Sequence, residues 1–97
     1  MTNEALTVSQ LTEDIKLVLE SGFERITVQG EISNYKHHTS GHKYFTLKDS
    51  GAQIACTMWK YRSLAFVPTD GMKVIAKGNV TVFAQRGNYQ IDIESMV

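Results

Sequence analysis

Ninety-seven residues suffice for one domain with one core, and exclude a second domain or a deep substrate cleft beside that core. Hydrophobic residues make up 42% and charged residues 21%, an ordinary globular balance, and no apolar run approaches the roughly 20 residues that cross a bilayer. The formal net charge is zero but unevenly laid out: residues 1–33 hold six acids and two bases, residues 34–91 eight bases and two acids, and residues 92–97 two more acids.

The first element reads as a helix over residues 7–21. Thr7-Val8-Ser9-Gln10 has the form of a capping box, with Ser9 as a competing cap. Leu11, Ile15, Val18 and Leu19 follow at helical spacing, and the stripe is expected to pack on a sheet. Glu13 and Asp14 are expected early in the helix, where its dipole favours negative charge, and Gly22 is placed to end it.

After Gly22 the period changes to two. Ile26, Val28 and Ile32 alternate with polar residues in a first strand, and Gly30 within it suggests a bulge or sharp bend. Residues 34–41 read as a polar loop. His42 to Lys48 is a second strand, joined by the turn Asp49-Ser50-Gly51 to a third from Gln53 to about Lys60. Residues 61–71 break the strand period and suit a short helical or irregular connection. A fourth strand runs from Lys73 through Phe83, with Gly78 inside it. A tight Ala84–Gly87 connection leads to a fifth from Tyr89 to Met96, with Tyr89, Ile91 and Ile93 on its apolar side.

Five strands with a single apolar face suit a closed antiparallel sheet. The expected fold is all-β with one N-terminal α-helix, a single domain over residues 1–97 forming a five-stranded Greek-key barrel of the oligonucleotide-binding (OB) type; an SH3-like barrel is the runner-up.

No catalytic constellation is present. His37, His38 and His42 cluster, but a second group of zinc ligands is missing and Cys56 falls on the inward face of its strand, so neither metal nor other cofactor is expected. No nucleophile elbow or phosphate loop occurs. Asp49 and Asp70 sit beside glycines or serine in turns and read as turn formers. The lone cysteine and the absence of a secretory signal in Met1–Leu6 fit a cytoplasmic protein.

A binding surface is the better reading. In such barrels a nucleic acid lies across strands two and three between the flanking loops, its bases stacked on aromatic rings and its phosphates followed by cations. The outward positions of those strands are Tyr44, Thr46, Lys48, Ala55, Thr57 and Trp59. The first loop adds Tyr35, Lys36, His37, His38 and His42, the start of the second strand Lys43, and the last hairpin Gln85, Arg86 and Asn88, with Tyr89 at its end. Trp59, followed by Lys60, is the leading stacking candidate; the competing role is to cap the barrel against Tyr61 or Phe66. Strand propensity alone accounts for Tyr44 equally well, and solvent exposure for Arg86.

Several segments carry a resemblance. Thr7-Val8-Ser9-Gln10-Leu11, Gly30 to Tyr35, Ser40-Gly41-His42-Lys43-Tyr44-Phe45-Thr46-Leu47-Lys48-Asp49, Asp70-Gly71-Met72 and Arg86-Gly87-Asn88-Tyr89-Gln90 resemble the N-terminal domain of bacterial exodeoxyribonuclease VII large subunits, from about residue 6 to 96. The resemblance implies an OB fold that holds single-stranded DNA for a nuclease. The catalytic domain and the region recruiting the small subunit would lie outside this chain, so the domain itself is expected to bind and not cut. In that family Trp59 and Lys60 match an aromatic-then-basic pair. Lys43 stands where an aromatic is frequent, and Ala55 where a base is frequent, which implies modest affinity. RNA or tRNA binding, and protein interaction through the same aromatic face, are the alternatives; no membrane partner is expected.

Overall fold

A computed structural model describes residues 4–97. Residues 1–3, which open the expected domain and half of the segment read for a secretory signal, lie outside the described residues. The elements are α1 (Val8–Gly22), β1 (Ile26–His37), β2 (Lys43–Lys48), β3 (Gln53–Met58), β4 (Lys73–Phe83) and β5 (Asn88–Met96). The strands close into a barrel in the order β1-β2-β3-β5-β4. All neighbours are antiparallel except β3 and β5. This is the expected fold; the connection from 59 to 72 is irregular rather than helical.

Alternation drives the closure. Phe45 and Leu47 of β2, Cys56 and Met58 of β3, Val74, Ala76 and Val80 of β4, and Ile91 and Ile93 of β5 point inward and are buried. Strand β1 belongs to both halves of the barrel. Residues 26–31 pair with β4 and residues 31–37 with β2, and the change of partner falls at Gly30 and Glu31. At Gly30 a side chain would come within 3.3 Å of the Lys48 carbonyl oxygen. The glycine therefore marks a close strand approach, not the bulge itself.

The irregularities in pairing lie elsewhere. In β1 the register shifts between Ser33 and Lys36, where Asn34 takes φ 57°. The backbone N–H of Tyr35, thrown out of the ladder, donates to Asp70 Oδ1 at 2.9 Å. Asp70 is thus more than a turn former: it pins the bulge. In β5 the extra residue is Glu94, since Lys77 pairs Ser95 and Gly78 pairs Ile93. Beyond it the inward parity changes, so that Met96 is buried. Bulges let a strand bend and re-aim its side chains, as a small barrel requires.

The helix is a correction. Thr7 is the N-cap and the box is complete: Thr7 Oγ1 accepts from Gln10 N at 3.1 Å, and Gln10 Oε1 from Thr7 N at 2.8 Å. But α1 buries nothing fully; Leu11, Ile15 and Val18 stay 45–66% exposed. The helix lies outside the barrel along β4, with Leu19 and Glu20 half-buried, and the Glu20 carboxylate accepts from Val82 N at 3.0 Å. Helical periodicity reports an apolar stripe and not what covers it. Glu13 and Asp14 also fall past the first turn, which holds no acid.

Gly78 sits where β4 presses on β5: a Cβ there would stand 2.1 Å from the Asp92 carbonyl oxygen. Backbone cannot yield as a flexible side chain does. Gly78→Ala is expected to lower stability by about 2–3 kcal/mol or to prevent folding, read as a drop in thermal midpoint by circular dichroism. An unchanged midpoint would mean that the strands separate here at little cost. Asp70→Ala is expected to cost about 1 kcal/mol in a denaturant titration, the usual net worth of a hydrogen bond.

Candidate nucleic-acid interface

Residues paired directly across neighbouring strands share a face of the sheet. The register therefore defines rows on the outer face. One row runs Lys36, Tyr44, Thr57, Asp92, Asn79 across β1, β2, β3, β5 and β4. The next runs Ser33, Thr46, Ala55, Gln90, Thr81, and a third holds Glu31, Lys48 and Gln53. Tyr44, Thr46, Lys48, Thr57 and Lys36 are thus brought onto one surface, as expected.

Trp59 follows β3 directly and is 41% exposed. Its ring meets neither Tyr61 nor Phe66 among the aromatic pairs; it packs edge-to-face with His42, ring centroids 4.6 Å apart. His42 Nδ1 accepts from the backbone N–H of Lys60 at 3.0 Å, which fixes its proton on Nε2. The loop 38–42 is folded tightly onto this spot. His38 Nδ1 accepts from Ser40 N, and Gly41, at φ 93°, passes so close that a Cβ would stand 3.0 Å from Lys60 Cβ. Tyr44 is equally exposed and meets the edge of His38 at 6.1 Å. Two open aromatic rings, each braced by a histidine, stand beside Lys36 and Lys60. Such a surface stacks flat rings and follows phosphates.

Other expected residues take different places. Thr57 is only 6% exposed, because it stands between Tyr44 and Asp92 in its row. Tyr35 turns inward after the bulge; its ring lies tilted at 6.2 Å from Phe45 and burial raises its hydroxyl pKa. Lys43 shares the parity of Phe45 and Leu47 and lies at the barrel end rather than on the outer face. Lys48 is shared with Glu31 at 3.7 Å, a surface contact worth less than about 1 kcal/mol. Arg86 is brought to the far end of the strands: β3 and β5 run parallel, so the β4–β5 hairpin adjoins the β2–β3 turn and not Trp59. Its guanidinium lies 5.9 Å over Phe83. Tyr89, expected inward, is exposed.

The reading from sequence missed the contribution of β5. Gln90 and Asp92 complete the face, and Arg62 from the irregular connection lies near Asp92. Alternation marked both β5 residues as outward; the parallel neighbour that brings them beside β3 has no local signature. Burial raises the Asp92 carboxyl pKa above its ordinary value, and Glu94 adds to this; the nearby Arg62 guanidinium and Trp59 indole N–H oppose it. Burial likewise pushes the Cys56 thiol up to about 12, leaving it no nucleophile at neutral pH.

Among the described residues no group of three His, Cys, Asp or Glu stands close enough to hold a metal ion. A hollow of about 910 Å³ opens at the other end of the barrel, lined in part by Gln29, Lys73, Ile75 and Val97. It meets the outer face only at Glu31 and Lys48. A single strand needs an open groove and not a cavity, so the aromatic face remains the candidate site. No described helix is long and apolar enough to cross a membrane.

A closed five-stranded barrel with a parallel β3–β5 contact and an open aromatic and basic face defines a class of small nucleic-acid-binding barrels. Residues 6–97 match the family model described as an OB-fold nucleic acid binding domain, and the chain belongs to that family. Among curated proteins it is similar to the exodeoxyribonuclease 7 large subunit of Geobacter metallireducens, with 55% identity over 91 residues, 92% of this chain and 20% of that protein. The large subunit of Natranaerobius thermophilus is 48% identical over 100 residues, 99% of this chain and 24% of that protein. That of an Enterobacter species is 44% identical over 92 residues, 93% of this chain and 20% of that protein. The chain thus spans about a fifth to a quarter of the length of these relatives.

The carboxyl of Asp92 gives a test of the face. A raised pKa means that the folded state disfavours the charged form, so Asp92 costs stability once pH exceeds its ordinary range. Asp92→Asn is expected to raise the thermal midpoint at pH 7, with a gain that shrinks as pH falls toward 4. A lower midpoint at pH 7 would show that the contacts with Arg62 and Trp59 outweigh burial.

Proposed function

We propose that this domain is the single-stranded-DNA grip of an exodeoxyribonuclease large subunit. It holds the strand for hydrolysis carried out by a part of that protein outside these residues. The observation that carries the reading is the exposed Trp59 ring, fixed by His42 and flanked by Lys60, in line with Tyr44 and Lys36. The names of the relatives support DNA as the polymer. Bases would stack on Trp59 and Tyr44, and Lys36, Lys60 and Lys48 would neutralise phosphates. The domain needs no cofactor for this task, binds without cutting and works in the cytoplasm. The nuclease's small subunit would be met through other parts of the protein.

Trp59 is the only tryptophan, so its fluorescence reports the site directly. Titration with a mixed-sequence single strand is expected to quench it. The affinity should fall with salt at a log-log slope of roughly −0.7 per phosphate contact. Trp59→Ala, followed by anisotropy of a labelled strand, should weaken binding by about 1–3 kcal/mol. Absence of binding at low salt would overturn the reading and favour a protein-contact role for the face.

A further inference from the structure

Helix α1 meets the barrel with its mixed flank and leaves its apolar stripe outside. The helical residues half-buried by the rest of the chain are Thr12, Lys16, Leu19 and Glu20, and β4 is the only strand that the helix touches. The stripe of Val8, Leu11, Ile15 and Val18 lies about a quarter turn away and is 45–82% exposed. A helix of 15 residues is marginal in water, and its stability comes mainly from packing an apolar face. The capping box at Thr7 offsets only part of that deficit. The stripe is thus a surface whose cover the described residues do not supply.

The spacing says what kind of cover fits. The four residues stand three, four and three positions apart, which is the narrow seam of two paired helices. Written as heptads, Val8 and Ile15 take position a, and Leu11 and Val18 take position d. Leu19, at the adjoining position e, is drawn toward the barrel. β-branched residues at a with leucine at d favour two parallel strands. The flanks agree with that arrangement. In a parallel pair of copies Thr7 faces Thr12 and Asp14 faces Leu19, so no like charges meet. Glu13, Lys16 and Glu20 fall off the seam. An antiparallel pair would set Asp14 against its own counterpart.

We propose that α1 is a self-association element: two copies of this chain pair through a parallel helix seam made of Val8, Leu11, Ile15 and Val18. A seam of this length buries at most about 1,000 Å² in total, the lower bound for a specific interface, so the pairing is weak and depends on concentration. The pair carries its two barrels on opposite sides. Trp59 follows β3, and β3 is not a neighbour of β4, so both outer faces stay open. The inference does not rest on the ligand that those faces hold.

Sedimentation equilibrium of this chain, from roughly 10 μM to 1 mM, covers the range in which so small an interface associates. The mean mass is expected to rise from one chain toward two. Ile15→Glu puts a charge into the seam at an exposed position and should weaken association by about tenfold or more, while Trp59 fluorescence reports an unchanged barrel. Leu17→Glu, at an exposed apolar position on the opposite side of the helix, should leave association as it was. Val8→Cys tests the direction of pairing. A parallel seam sets the two introduced thiols side by side, so an added mild oxidant should join the copies by a disulfide, and the native Cys56 is buried away from it. A single-chain mass at every concentration would overturn the inference and leave the stripe to a different protein segment. Association that survives Ile15→Glu would overturn it too, because another surface would then be responsible. Association without a disulfide in Val8→Cys would overturn the parallel arrangement.

Discussion

The parallel contact between β3 and β5 is short, three residue pairs, and the rest of the molecule depends on it. It turns a curled antiparallel sheet into a closed barrel, so that Cys56 and Ile91 meet in one core and neither strand is left as an open edge. It also determines the chemistry of the outer face. Through the pairs Ala55–Gln90 and Thr57–Asp92, the polar side of β5 is laid against the threonines of β2 and β3. Without that contact the face would be a basic and aromatic strip; with it, the face is basic on one flank and hydrogen-bond-accepting on the other.

Two bulges adapt this closure to the site. That in β1 turns Tyr35 into the core and lets Lys36 rejoin the outer face beside Tyr44. That in β5 sends Met96 inward after Glu94. Each is paired with a residue that permits it: Asp70 receives the displaced N–H of Tyr35, and Gly78 lets β4 lie against the Asp92 carbonyl. The loop 38–42 does the same for the Trp59 ring. His42 accepts one backbone hydrogen bond and thereby holds Trp59 in a fixed attitude before any ligand arrives, which reduces the ordering cost of binding.

Much of this was legible in the sequence. Strands with period two, the capping box at Thr7 and the turn at Asp49 are local signals, and the elements formed near where their residues placed them, except that β1 runs on to His37 through residues that read as a polar loop. Asp49 Oδ1 accepts from both Gly51 N and Ala52 N, as an Asx turn should. The outward set Tyr44, Thr46, Lys48 and Trp59 followed from alternation alone. What was not legible is non-local. The stripe of α1 looked like a core face because periodicity cannot tell which neighbour, if any, covers it. Thr57 looked exposed because its screen comes from β2 and β5. Parity changes at the bulges moved Tyr35 inward, and the partnership of Asp92 with Trp59 depends on strands that are far apart in the chain.

The same β3–β5 contact makes folding a matter of timing. A strand from the middle of the chain must wait for the last strand before the sheet can close. Such long-range pairings slow the search for the native state, since chain entropy is lost before the contact forms. On a ribosome, β1 to β4 emerge first and can pair only as an open sheet. β3 and β4 then show bare edges that invite pairing with other chains. Synthesis of β5 is the step that removes this hazard, and it completes the ligand face in the same movement. A nascent chain therefore loses its exposed edges and gains its complete outer face together, with β5, rather than one after the other.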